Sequence, residues 1–125
     1  MESNEQILCR VAACHERMND GNDWSFYLIN DSEVAFDVLL EEVSYEWGDM
    51  PSSEKPDVCV SNLSPNANAL IWRDDGELRM DLLLLVRLSD RQERLRFEFP
   101  KLYRKSNLPL VKWLGRSGWE KFAEF

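Results

Sequence analysis

From Leu78 to Leu88 the chain alternates without a break. Leu78, Met80, Leu82, Leu84, Val86 and Leu88 fall on one side, and Arg79, Asp81, Leu83, Leu85 and Arg87 on the other. Successive side chains of a strand point to opposite faces, so a period of two sorts this stretch into one apolar face and one mixed face. Leucine is a good helix former, but uninterrupted alternation is the signature of a strand. Leu83 and Leu85 make the middle apolar on both faces. Such a strand needs neighbours on either side, so it is predicted to lie inside a sheet, not at its edge.

Turn residues flank this strand. Asp74-Asp75-Gly76 precedes it and reads as a hairpin from Ala69–Trp72. Ser89-Asp90-Arg91-Gln92 follows it and leads to a partner in which Leu95, Phe97 and Phe99 alternate with Arg94, Arg96 and Glu98. Pro100 ends that partner. Upstream, Ile7, Cys9, Val11 and Ala13 share one face of a strand over residues 6–14. Residues 18–23 form a turn. Trp24 to Asn30 is apolar on both faces, as suits a central strand. Val34 to Trp47 is extended, but its inward phase shifts after Glu42, from Phe36, Val38 and Leu40 to Val43, Tyr45 and Trp47. A mid-strand change of phase predicts a β-bulge. Residues 48–56 read as a loop, Val58–Val60 as a short strand and Ser61–Asn68 as a turn.

The C-terminal segment has another character. Leu108–Leu114 is apolar around Pro109 and Lys112. Ser117-Gly118-Trp119-Glu120 then fits a capping box, predicting a short helix over 118–125 that carries Trp119, Phe122 and Phe125. With 125 residues, 44% of them hydrophobic, the chain can bury a core without disulfides or metal. The expected fold is all-β: a single antiparallel β-sandwich domain over residues 1–125, with about seven strands, an immunoglobulin-like form of it, and the tail 106–125 packed against it. A rolled barrel is the alternative.

Charge is unevenly spread. Residues 1–67 hold 14 acidic and 3 basic side chains, and residues 68–125 hold 9 and 12. The acidic first part repels phosphate backbones and argues against general nucleic-acid or anionic-membrane binding. The N-terminal residues are acidic and polar where a secretory signal would be basic, and no apolar run is long enough to span a membrane. Three cysteines, an odd number, fit a reducing compartment, so a cytoplasmic location is expected.

Residues able to carry chemistry are few. Cys9, Cys14, His15 and Cys59 are the soft-ligand candidates, but Cys9 and Cys14 point to opposite faces of one strand, and His15 diverges from Cys14. Asn19-Asp20-Gly21-Asn22-Asp23 is a thin version of a calcium loop and lacks the distal glutamate. There is no phosphate loop, nucleophile elbow or zincin motif, and a single histidine. No catalytic residue, metal or cofactor is therefore assigned. Five tryptophans are the remaining clue. Trp24, Trp47 and Trp72 lie in predicted strands and are expected in the core. Trp113, Arg116, Trp119, Phe122 and Phe125, with Lys112 and Lys121 among them, form a basic aromatic tail suited to a partner protein or, as an alternative, to single-stranded nucleic acid.

Trp24-Ser25-Phe26-Tyr27-Leu28-Ile29-Asn30, the stretch Val38–Gly48, the closing Phe97-Glu98-Phe99, and the later Leu108-Pro109, Leu114-Gly115 and Gly118 together resemble a family of small uncharacterised bacterial β-sandwich proteins. The turn Tyr45-Glu46-Trp47-Gly48 departs from that family's Gly-Tyr-Gly-like turn. The resemblance spans about 90 residues and implies the fold, with no activity and no site. The function expected on all these grounds is a non-enzymatic protein-interaction module, with homodimer formation as one form of it. A small carboxylate- or metal-dependent hydrolase is the alternative.

Overall fold

The computed structural model describes residues 7–16, 23–47, 50–102 and 107–123. Every regular element among them is a strand: β1 (Cys9–Glu16), β2 (Asp23–Asn30), β3 (Phe36–Trp47), β4 (Met50–Glu54), β5 (Val58–Leu63), β6 (Asn68–Asp74), β7 (Met80–Arg87), β8 (Gln92–Phe99), β9 (Leu110–Val111), β10 (Arg116–Ser117) and β11 (Trp119–Phe122). All pairings are antiparallel. The first sheet runs β11-β1-β2-β6. The second runs β4-β3-β7-β8, with β5 pairing β3 beyond the end of β4. The pair β9-β10 forms a small hairpin of its own.

The alternation read from the sequence places the core. Val11, Ala13, Trp24, Phe26 and Leu28 of the first sheet join Leu40, Val43, Leu82, Leu84, Val86, Leu95, Phe97 and Phe99 of the second in one buried cluster. Phe26 meets Phe99 edge to face, with ring centroids 5.0 Å apart. Burying each such side chain contributes about 1.5–3 kcal/mol relative to leaving it in water. One polar side chain is built into this end of the fold. Asn30, fully buried, donates to the carbonyls of Val34 (2.8 Å) and Leu63 (2.9 Å) and accepts from the Ser32 amide (2.8 Å). With its donors and acceptor met, it fastens the β2–β3 connection to the end of β5 at no desolvation loss.

The strand at Leu78–Leu88 is β7, interior between β3 and β8. Its regular part begins at Met80 and ends at Arg87. The predicted bulge in β3 is present as a register shift between Leu40 and Glu42 against β7.

Three expectations are corrected. The Asp74-Asp75-Gly76 turn is not a hairpin: β6 lies in the first sheet and β7 in the second, so it is a crossover between sheets. Gly76 adopts φ +74°, and a Cβ there would lie 2.7 Å from Cδ1 of Trp24. The glycine thus serves a close approach to the core tryptophan instead of a tight reversal. The loop over 48–56 contains the strand β4. Among the described residues no C-terminal helix forms: residues 119–122 are β11, because β1 offers an open edge whose backbone groups a short helix would leave unpaired. Tyr45 pairs with Met80 beside the core, and Trp72 is half-buried against it.

Candidate functional site

The tail hairpin lies on the outward side of the first sheet. Val111, buried, packs with Ala12 and Ile29, and Leu114 completes this second small cluster. Ala12 and Ile29 belong to the faces of β1 and β2 that point away from the main core. Two arginines fix the hairpin there. Arg10 is 6% exposed; it holds Asp31 through Nε (2.6 Å) and Nη2 (2.9 Å), Glu120 through Nη1 (2.6 Å), and the carbonyl of Lys112 (3.1 Å). Its hydrogen bonds to Asp31, more than any other cause, hold its pKa above the ordinary arginine value. Arg116 donates to the Tyr27 hydroxyl (2.8 Å) and to Glu16 (2.5 Å).

The β9–β10 turn presents an indole. Trp113 has φ +70° and Gly115 φ +72°. A left-handed backbone costs a bulky L-residue about 1–2 kcal/mol. It is held by amides of Leu114 and Gly115 that both donate to Val111 O (3.3 Å), and by Asn68, which donates to the Trp113 carbonyl (3.2 Å). Trp113 remains 46% exposed, with Lys112 Nζ 4.9 Å from its ring centroid.

The tail residues singled out in the sequence therefore separate. Trp113 and Phe122 are exposed, Phe122 at 67%. Trp119 opposes Ala13 and packs against the main core. Arg116 is engaged within the chain by Glu16 and Tyr27. Phe125 lies outside the described residues. Three further exposed side chains join the pair: Leu8, Leu70 and Leu110, the last 73% exposed. Register places Leu70 opposite Tyr27 and Phe122 opposite Arg10, both on the outward face. Leu8, two residues before Arg10, shares that face by alternation. Its position out of phase with Ile7 and Cys9 was the legible signal. Leu70 carried none.

The outward face of the second sheet is different. Acids and arginines of β3, β7 and β8 meet there: Arg94 of β8 holds Glu41 of β3 (2.8 Å), Arg96 of β8 holds Asp81 of β7 (2.8 Å), and Arg79, just before β7, holds Glu46 of β3 (2.8 Å) and Glu98 of β8. The opposite charges of the two halves of the sequence are partly spent on each other here. Leu85, only 8% exposed, stands opposite Arg94, and Leu83 opposite Arg96. Arginine stems cover apolar surface while their heads stay wet. Beside Leu85, across β5, β3 and β7, is an open cavity of about 220 Å³.

Cys9, Cys14 and Cys59 are all free thiols, the first two buried and the third exposed. Among the described residues no group of three His, Cys, Asp or Glu side chains could hold a metal. Asn19 to Asn22 lie outside them, and Asp23 opens β2. Among the described residues no helix is long and apolar enough to cross a membrane. Comparison with family models, with curated proteins and with solved structures finds no match.

Proposed function

We propose that this chain is a non-enzymatic protein-interaction module whose contact surface is the outward side of the first sheet together with the tail hairpin. One observation carries the reading. Among the residues whose side-chain exposure is described, the large apolar side chains that stand exposed, namely Leu8, Leu70, Leu110, Trp113 and Phe122, all lie in that sheet, directly before it, or in that hairpin. Exposed aromatic and aliphatic groups gathered on one side mark a binding surface. Tryptophan held in a strained turn is a rigid anchor of the kind that dominates interface energies. In the same reading the two sheets are the layers of an immunoglobulin-like sandwich, supported by their shared core, and the resemblance to small bacterial β-sandwich proteins belongs with it. The three free thiols support a reducing, cytoplasmic setting.

A second copy of the chain is the partner this reading favours, because an apolar face can be self-complementary about a two-fold axis. The test is light scattering over a wide concentration range on the wild type and on Trp113→Ala and Phe122→Ala. The expected result is a dimer whose dissociation constant rises about 30-fold in each variant, the equivalent of ~2 kcal/mol, with the circular dichroism of the folded chain retained. A wild type that stays monomeric throughout removes the homodimer. Variants that unfold show that this face is core, and the module reading falls.

A further inference from the structure

The cavity on the second sheet is lined in two rungs. The first rung, Cys59–Leu39–Leu85 across β5, β3 and β7, is apolar apart from the thiol. The second rung sets Asp37 directly opposite Arg87, with Ser61 on the neighbouring strand. The space between β5 and β3 comes from a β-bulge. Phe36 pairs with Leu63 and Val38 with Val60, so Ser61 and Asn62 together face Asp37. Asn62 takes φ +52°, and its amide donates to Oδ1 of Asp37 (2.7 Å). Bulges of this kind re-aim side chains beside binding sites.

The charges of the second rung are open. Arg79, Arg94 and Arg96 of this sheet each hold an acid, whereas Arg87 makes no ion pair or hydrogen bond among the described residues. Asp37 spends one carboxylate oxygen on Asn62 and has no cationic partner there. Asp37 and Arg87 face each other across one strand spacing of ~5 Å. A ligand that satisfies both brings a cation and an anion side by side, with an apolar group for Leu39 and Leu85. A cavity of ~150 Å³ holds benzene, so 220 Å³ admits a slightly larger molecule.

We propose that this cavity binds a free α-amino acid with an aliphatic side chain, its ammonium on Asp37, its carboxylate on Arg87 and its side chain over Leu39 and Leu85. The proposal is independent of the protein-contact surface, which lies on the other sheet. Exposed charge pairs are weak, so the dissociation constant is expected on the order of 1 mM. The experiment is an NMR titration of the full chain with L-leucine, read at the backbone amides of Leu39, Cys59, Ser61 and Arg87. Saturable shifts confined to that region are expected. L-leucinamide, which lacks the carboxylate, and N-acetyl-L-leucine, which lacks the ammonium, should each bind about three- to fivefold more weakly, as should L-leucine to Arg87→Gln and Asp37→Asn. Both positions are exposed, so these variants keep the fold. No saturable shift, or equal responses to the three ligands, overturns the proposal.

Discussion

Asp74 sits where the two sheets meet. Its Oδ1 accepts from the Tyr45 hydroxyl (3.2 Å), which in turn accepts from Trp72 Nε1 (3.1 Å), and its Oδ2 accepts from the Gly76 amide (3.0 Å). The chain thus ties the end of β6 to β3 and to the crossover. Burial, more than any neighbour, raises the Asp74 pKa, with the Asp75 charge adding to it while its hydrogen bonds oppose it. Burial likewise raises that of Tyr45. A carboxyl whose pKa is raised by burial favours the folded state most at a pH below the ordinary aspartate value. That contribution falls as the pH climbs from the ordinary value through the raised one, since the unfolded state ionises first. Asp74→Asn removes the titration. The stability of this variant relative to wild type should therefore rise in urea melts as the pH climbs above the ordinary aspartate value. A difference independent of pH would show that the carboxyl is as well solvated folded as unfolded.

Among elements, β11 is the most instructive. Its sequence satisfies a capping box, yet it is a strand, since its partner is more than a hundred residues away in the chain. The residue that admits it is Gly118. A Cβ there would lie 2.7 Å from the Ala13 carbonyl oxygen and 3.0 Å from Cys14 Sγ, so β11 approaches β1 more closely than any larger residue permits. Backbone gives way poorly. Gly118→Ala should cost about 1–3 kcal/mol by overpacking, measured by denaturant unfolding, with faster hydrogen exchange at the amides that join β11 to β1. A neutral substitution would mean that β11 docks loosely. By contrast β7 could be read from its residues, because its period of two survives any choice of neighbours. The bulge in β3 could be read too, because a change of phase between Leu40 and Val43 is visible without knowing the partner strand.

At the scale of the molecule, the three cysteines report on the core as a whole. Burial lifts the Cys9 thiol to about 12 and the Cys14 thiol to about 11, so neither is a reactive thiolate near neutrality. Cys59 is exposed on β5. A thiol reagent at mildly alkaline pH should titrate one cysteine at once and the other two only at the rate of unfolding. Two rapidly reacting thiols in the native protein would indicate that β1 opens locally, exposing Cys9 or Cys14 without global unfolding.

Alternation by itself determined the all-β class, which strand is interior, where β3 bulges, and that Ile7, Val11, Leu82, Leu84 and Phe97 point inward. These follow from the two-residue repeat of an extended chain, a local property. Tertiary structure alone decided the rest. Whether Gly76 turned a hairpin or carried the chain to the other sheet depended on its approach to Trp24. Whether residues 119–122 were helix or strand depended on the open edge of β1. The candidate surfaces divide the same way. Trp113 and Phe122 stood out by residue type, but that Arg116 is held by Glu16 and Tyr27, and that Trp119 lies opposite Ala13, came from the tertiary structure. The Asp37–Arg87 cavity rests on a register between strands, which no single strand encodes.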